Sequence, residues 1–344
     1  MRTAKTAKHI WPRGQKGVTL VELMIALVLT AVIGGALYRG LVNQTKSFVQ
    51  QDQSDEAMQH CRTATDQILR ELRMAGYVMA YQDSSGITVN DRGIVVGTTT
   101  LINGTTVTTN NDTNRGTTDS LVIRRGDSVP WTVWKYKYKY KDHQGVEKTK
   151  VTFDERITVR FGDPDYVFLL STDRKEYRTA VVQEKGLDDE YANKKMIRIE
   201  NYTGSIASTN GVTTDYSGGT CVKFKGIAFY IDTSSGIPTL MKAINGNPSQ
   251  IVARYIEDLQ IAYQDNAGVW YRGGSGTTQT NPPTVNNIRN VRINILARAS
   301  TATARTPYFH AALEDGNRHP ATHGDGFLRR SLTSQVRARN FGVD

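Results

Sequence analysis

Residues 16–38 read KGVTLVELMIALVLTAVIGGALY. From Val18 to Tyr38 the run carries one charge, Glu22, and its 21 residues at 1.5 Å of helical rise match the roughly 30 Å hydrocarbon core of a bilayer. Ahead of it stand Arg2, Lys5, Lys8, Arg13 and Lys16 with no acid. The positive-inside rule therefore keeps the N-terminus cytoplasmic and sends residues beyond about 40 to the far side. A secretory signal would end a shorter apolar stretch at a small-residue cleavage site, whereas this run reads on into a helix. Glu22 is the anomaly. A carboxylate costs roughly 2.5–3.5 kcal/mol at mid-bilayer, so it either snorkels to the headgroups or meets a partner charge.

Working outward, no proline occurs between Gly17 and Gly76, which allows one helix over 18–76. Polar residues dominate 43–57. Met58, Cys61, Ala64, Ile68, Leu72 and Ala75 then recur at spacings of three and four, a stripe suited to lie on a globular domain. Gly76 reads as the stop, with Arg70 and Arg73 placed for the helix dipole. Gly34-Gly35 is the weak point of the apolar half, or else a close packing contact.

Beyond Gly76 the period changes to strand-like runs between turn residues, at 87–89, 93–97, 119–127, 151–162 and 194–202. Gly/Thr/Asn/Ser-rich stretches at 97–119, 203–220 and 272–287 read as long loops. The C-terminal part is denser: CVKFKGIAFYID (221–232), IPTLMKAI (237–244), IVARYIEDLQIAYQD (251–265), IRNVRINILARA (288–299) and LRRSLTSQVRARNFG (328–342). The fold expected is α+β, a long N-terminal helix packed on an antiparallel β-rich head.

Composition sets outer limits. The 344 residues carry a formal charge of +10 and are 38% hydrophobic, a globular composition rather than a disordered or polytopic one. Five of the charges lie in the first 17 residues, which weakens a nucleic-acid reading of the rest. Two cysteines exclude a disulfide-dense scaffold.

The stretch KGVTLVE (16–22), with its basic leader, Gly, T-L-x-E run and long apolar continuation, resembles the processing site of type IV prepilins and type II secretion pseudopilins. The resemblance implies cleavage after Gly17 by a prepilin peptidase and N-methylation of the new Val18 amine. It also implies pairing of Glu22 with the N-terminal amine of an adjacent subunit. The physics agrees, since an ammonium and a carboxylate in an apolar fibre core offset each other's desolvation. Val18 departs from the usual Phe, and the helix-disrupting Pro usual near Arg39 is absent. ARYIEDLQIAY, VRINILARAS ending near Arg298, and RRSLTSQVRARN resemble the core of PilW-type minor pilins and of the related pseudopilin GspJ.

The organisation expected is a leader over 1–17, a pilin helix over 18–76 with 18–38 transmembrane, a β-rich insert over 77–220 and a PilW/GspJ-like β core over 221–344. The resemblance implies a minor pilin that primes a type IV pilus, sits at its tip and touches surfaces through its head. It would start as a single-pass inner-membrane protein with a periplasmic head and end in the extracellular pilus. Its partners would be other minor pilins, the major pilin and the processing peptidase/N-methyltransferase. The rivals are a type II secretion pseudopilin, a DNA-uptake minor pilin, and a singly anchored enzyme or receptor.

Three further features carry candidate chemistry. In WTVWKYKYKYK (131–141), strict alternation puts Trp134, Tyr136, Tyr138 and Tyr140 on one face and Lys135, Lys137, Lys139 and Lys141 on the other. Such a ladder suits DNA phosphates or an acidic polysaccharide. With rings and cations on opposite faces they cannot jointly cradle a base, which favours an edge strand guarded by lysines and stands against a nucleic-acid partner. Cys61 and Cys221 either pair in an oxidising periplasm or remain two buried thiols. His319 and His323, with Asp325, have nominal metal spacing, but Pro320 breaks a regular helix there, and Asp163-Pro-Asp165 reads as a turn. No metal or cofactor is expected, and without G-x-S-x-G, H-E-x-x-H, Walker A, C-x-x-C or G-x-G-x-x-G motifs an enzyme reading has no residue behind it.

Overall fold

The computed structural model describes residues 17–78, 118–127, 130–141, 147–153, 165–187, 195–201, 214–245, 248–272, 288–302 and 326–337, with five short strand pieces between 81 and 109. It is α+β, one long helix and an antiparallel β-rich head. The helix α1 spans Leu20–Arg73. Small strands follow as β1 (Tyr81–Gln82), β2 (Thr88–Val89), β3 (Ile94–Val95), β4 (Gly97–Thr100) and β5 (Thr106–Thr109). Next come β6 (Leu121–Gly126), β7 (Trp131–Lys141), β8 (Glu147–Phe153), β9 (Asp165–Leu170), β10 (Tyr177–Leu187) and β11 (Lys195–Asn201). The C-terminal strands are β12 (Thr220–Asp232), β13 (Thr239–Ile244), β14 (Gln250–Arg254), β15 (Ile256–Gln264), β16 (Trp270–Arg272), β17 (Asn290–Arg298) and β18 (Arg329–Arg337).

The chain divides into two compact units, residues 1–52 and 53–344. In the first, α1 is long and apolar enough to cross a membrane. From Leu20 to Leu41 its Val, Leu and Ile side chains are exposed.

In the second unit, Ala57, Cys61, Ala64, Ile68, Leu72 and Ala75 are buried, one four-three face of the helix. Ala57 rather than Met58 opens the stripe, and Met58 is only partly buried. This face shares a core with Leu259, Ile261, Ile293 and Ile295 of a four-stranded sheet, β16-β15-β17-β18, and with Ile123, Phe229 and Leu240 of β6, β12 and β13. The helix is followed by a turn in which Gly76 adopts φ 72, which a side chain rarely tolerates, and donates its N–H to Arg124 O at 2.8 Å.

The insert builds a closed ladder. β12 pairs with β9, β9 with β10, β10 with β11, β11 with β8, and β8 with β7. Finally β7 returns to β12 through Thr132↔Thr220 and Trp131↔Cys221. Val133, Val151, Phe153, Leu169, Ile197 and Cys221 share its inner core. Gly219 permits the closure, because a Cβ there would come within 2.2 Å of Leu170 O. Past Lys223, β12 leaves the ring and pairs with β6 and β13, so one strand joins insert to C-terminal core.

Two expectations need correction. The segment 251–265, read as one run, is two strands broken at Tyr255, whose φ of 62 turns the chain while its carbonyl accepts Arg298 N–H. Strands β1, β4, β5, β9, β10 and β16 lie where no strand was read, and the paired β4 and β5 fall inside the stretch 97–119 expected as a loop. The parts of the expected runs and loops at 154–162, 203–213 and 273–287 lie outside the described residues.

Candidate assembly and surface sites

At the start of α1 the sequence Thr19-Leu20-Val21-Glu22 forms a capping box. Thr19 N–H and Oγ1–H both donate to Glu22 Oε2, at 3.0 and 3.1 Å, and Glu22 N–H donates back to Thr19 Oγ1 at 3.3 Å. The carboxylate thus satisfies orphan donors at the positive end of the helix dipole. The T-x-x-E spacing carried this signal, and the sequence reading used it only as part of a processing motif. A carboxylate has about four lone-pair sites. Glu22 therefore keeps acceptor capacity beyond its own cap. Gly17 and Val18 precede the helix and are exposed, with nothing within 4 Å of a Cβ placed on Gly17.

The strand read as a lysine ladder is β7, and its alternation holds only in part: Tyr136 and Tyr138 pack on the ring core with Lys137 between them, whereas Trp134 is exposed. Two bulges interrupt the pairing with β8, between Val133 and Lys135 and between Lys137 and Tyr140. Val133 and Tyr136 both face the ring interior, so Trp134 and Lys135 are left together between them. Trp134 is 40% exposed, and the Lys135 Nζ lies 5.9 Å from its ring centroid. The tidy separation of rings and cations is corrected accordingly. Lys137 stands opposite Lys150 in the ladder, and Lys141 is exposed. The side chains of Lys139 and Tyr140 lie outside the description. Nor is β7 a simple edge, because its first residues pair with β12, Val133 exchanges hydrogen bonds with Gly218 and Gly219, and Tyr136 N–H donates to Ser217 Oγ.

Inside the ring the buried Arg178 donates through Nη1 to Tyr136 Oη, with its guanidinium carbon 5.8 Å from that ring. Tyr136 meets Tyr216 edge to face at 5.1 Å. Burial pushes both phenols above their ordinary pKa, and Arg178 opposes the shift. Sequence reading missed this network because its residues come from β7, β10 and the turn before β12.

The possible disulfide is not formed. Cys61 and Cys221 are free, buried thiols in two different cores. Cys61 Sγ–H points to Arg330 O at 3.3 Å on the helix side of β18, whereas Cys221 faces into the ring. Burial pushes the Cys61 thiol up to about 11, against a lowering backbone hydrogen bond, and raises that of Cys221 further.

Two buried ion clusters tie the second unit together. Glu257 takes a bidentate bond from Arg329, 2.6 Å from Nε and 3.0 Å from Nη2, and a longer one of 3.4 Å from Arg298. The three C-terminal motifs singled out by sequence therefore meet at one carboxylate. Glu71, in the last turn of α1, pairs with Arg125 and Lys242, each at 2.8 Å. Burial alone would raise its pKa, but the two cations outweigh it and hold the carboxyl below its ordinary value. Asp119 was also missed: its N–H donates to Leu259 O and its Oδ2 accepts Ile261 N–H, so a loop residue completes the edge of β15. Asp165 pairs with Lys223 at 2.7 Å. Asp163, His319, His323 and Asp325 lie outside the described residues.

Comparison with known proteins bears on both ends of the chain. Residues 12–38 match the prokaryotic N-terminal methylation motif, and residues 228–340 match the family of type IV pilus-assembly protein W. Among solved structures, a type IV-like pilin from Thermus thermophilus aligns over 52% of this chain and 85% of its own, at 13% identity and a TM-score of 0.25. No curated protein sequence matches the chain significantly. The first match falls on the apolar start of α1 and the second on the strands from β12 to β18, so the chain is similar to type IV pilus-assembly proteins at both ends.

Proposed function

We propose that the chain is made as a precursor with a leader over 1–17, cut after Gly17 on the cytoplasmic face and methylated on the Val18 amine. Residues 18–38 then hold it in the inner membrane with its head in the periplasm. In assembly the apolar half of α1 passes from lipid to the packed helices of a fibre, and Glu22 pairs with the Val18 amine of a neighbouring subunit. The chain joins other minor pilins to prime polymerisation and rides at the tip, where the head makes surface contacts.

The observation that carries this reading is the contrast within α1, whose residues 18–49 expose Val, Leu, Ile, Met and Phe side chains while its face from Ala57 onward is buried by strands. Contiguous apolar surface of that extent needs either lipid or other helices. The methylation motif supports processing at its start.

The test is gene deletion complemented with wild type or Glu22→Ala, scoring sheared fibres by electron microscopy beside total secreted protein. The reading expects fibres to fall on deletion with secretion intact, and the mutant to be processed but poorly incorporated. Normal fibres with impaired secretion would make the chain a secretion pseudopilin, and wild-type incorporation of Glu22→Ala would remove the pairing role.

A further inference from the structure

Among the described residues, most sheet edges are short, bulged or covered. In the larger sheet β3 has two residues and β14 five, the latter with a bulge at Val252. In the sheet β16-β15-β17-β18, β16 runs for three residues, and β15 beyond it is covered by Asp119 through Leu259 O and Ile261 N–H. The remaining edge, β18, is unlike these. It pairs with β17 through nine consecutive residue pairs without a shift, and with no other described strand.

The direction of its backbone groups follows from one bond. Ala299 N–H donates to Leu328 O at 2.8 Å, and these two residues continue the β17–β18 register by one pair. Antiparallel pairing alternates, so Arg330, Leu332, Ser334 and Val336 turn N–H and C=O toward β17, while Ser331, Thr333 and Gln335 turn theirs away. Arg298, one residue before Ala299, sends its N–H the opposite way, to Tyr255 O at 2.9 Å, as the alternation requires. Among the described residues no hydrogen bond takes up the outward groups of Ser331, Thr333 and Gln335, and Thr333 and Gln335 are exposed. They form a row of donors and acceptors repeating about every 6.8 Å. The stretch 331–335 holds no Pro, Lys or acid and no bulge, so it lacks the devices that blunt an edge.

We propose that β18 is a docking edge for a strand from the head of a different pilin, one that carries a carboxylate opposite Arg330. The inference rests on the minor-pilin reading above and names the surface that makes a subunit contact. Main-chain bonds to the outward row give the affinity of such strand addition, and side chains fix its register. A second copy of this chain fits less well. Arg330 is exposed, its Nε donates to the neutral Ser54 Oγ at 2.8 Å, and β18 has no acid to offer a copy of itself. Position points to a subunit contact as well. Ser54 and Cys61 of α1 both touch β18 at Arg330, so an added strand would lie beside the helix through which, on that reading, subunits pack.

The experiment co-produces the tagged full chain with the other minor pilins of its own cell and compares amide hydrogen exchange in the chain alone, in detergent, with that in the co-purified complex. The amides of Ser331, Thr333 and Gln335 should exchange fast in the chain alone and about tenfold slower in the complex. Gln335→Pro removes an outward N–H and leaves the ladder to β17 intact, so it should abolish co-purification while near-UV circular dichroism stays unchanged. Gln335→Ala keeps that N–H and should bind as wild type, and Arg330→Glu should weaken binding about tenfold. Fast exchange of these amides in the complex, their protection in the chain alone, capture of no minor pilin by the wild type, or wild-type capture by Gln335→Pro would overturn the proposal. The exchange comparison needs no variant, so it decides even if a substitution perturbs folding. Fibre counts separate the two readings: fibres lost on deletion but normal with Gln335→Pro sink this inference alone, whereas normal fibres on deletion sink the minor-pilin reading.

Discussion

The two halves of α1 obey one helical period but are built for different surroundings. From Leu20 to Leu41 the helix is exposed throughout and carries large Val, Leu and Ile side chains, Leu27 and Val32 at 65%. From Ala57 the buried face is mostly small, with Ala57, Cys61, Ala64 and Ala75 allowing strands to approach and Ile68 and Leu72 filling the remaining space. An all-round apolar surface suits lipid or neighbouring helices, whereas a narrow stripe suits one fixed partner. Hydrophobic content alone would rank the first half as the better core helix, yet it is the second half that is buried in protein.

The largest effect should come from breaking the second half. Ile68→Asp puts an unpaired carboxylate into the shared core, and we expect loss of cooperative unfolding of the head, read by near-UV circular dichroism of the full chain in detergent. Leu27→Asp, the matching change in the first half, should leave that spectrum untouched while lowering membrane insertion by about 3 kcal/mol. Equal damage to the head from both would erase the distinction between the halves.

Next in size is Glu257→Ala. It strands Arg329 and Arg298 without their carboxylate and should cost roughly 3–5 kcal/mol in denaturant unfolding. A cost near zero would mean that the meeting of the three C-terminal motifs is incidental to stability.

Glu71→Gln should cost somewhat less, roughly 2–3 kcal/mol at neutral pH, since its partners Arg125 and Lys242 keep some access to water. Its folded pKa lies below the unfolded value. The wild-type contribution is therefore fully present above the unfolded value of about 4.3 and is lost as pH falls through the lower, folded one. The variant should show a flatter acid limb, and an unchanged limb would remove Glu71 from the account.

The smallest effect is at the helix start. Thr19→Val removes the capping hydroxyl and should loosen the first turn by about 1 kcal/mol, visible as faster amide exchange at Val21 and Glu22. Both thiols should stay unreactive to alkylation until the chain unfolds and then titrate as two, with no mobility change on a non-reducing gel.

Much of this was legible in residue order because the signals are local. Helical period, the absence of proline and the left-handed preference at Gly76 each involve neighbours within a few positions. The runs at 221–232, 237–244 and 288–299 likewise became strands. The insert was harder to read, because DYVFLL (165–170) looks like any short apolar run until its partners are known. Glu22 was read for its charge, while its hydroxyl partner three residues earlier went unnoticed.

Residue order was enough to set the long helix, its membrane-length apolar half, the processing motif and an antiparallel head, all properties of short windows. Tertiary structure alone decided that β12 closes a ring with β7 and β9, and that Trp134 joins Lys135 outside it. It also decided that Cys61 and Cys221 belong to separate cores and that Glu257 gathers arginines from two later strands. The reason is that strand register is a non-local quantity. A single bulge exchanges the faces of every residue beyond it, and pairing between segments some 50 residues apart is selected by the whole core rather than by either segment.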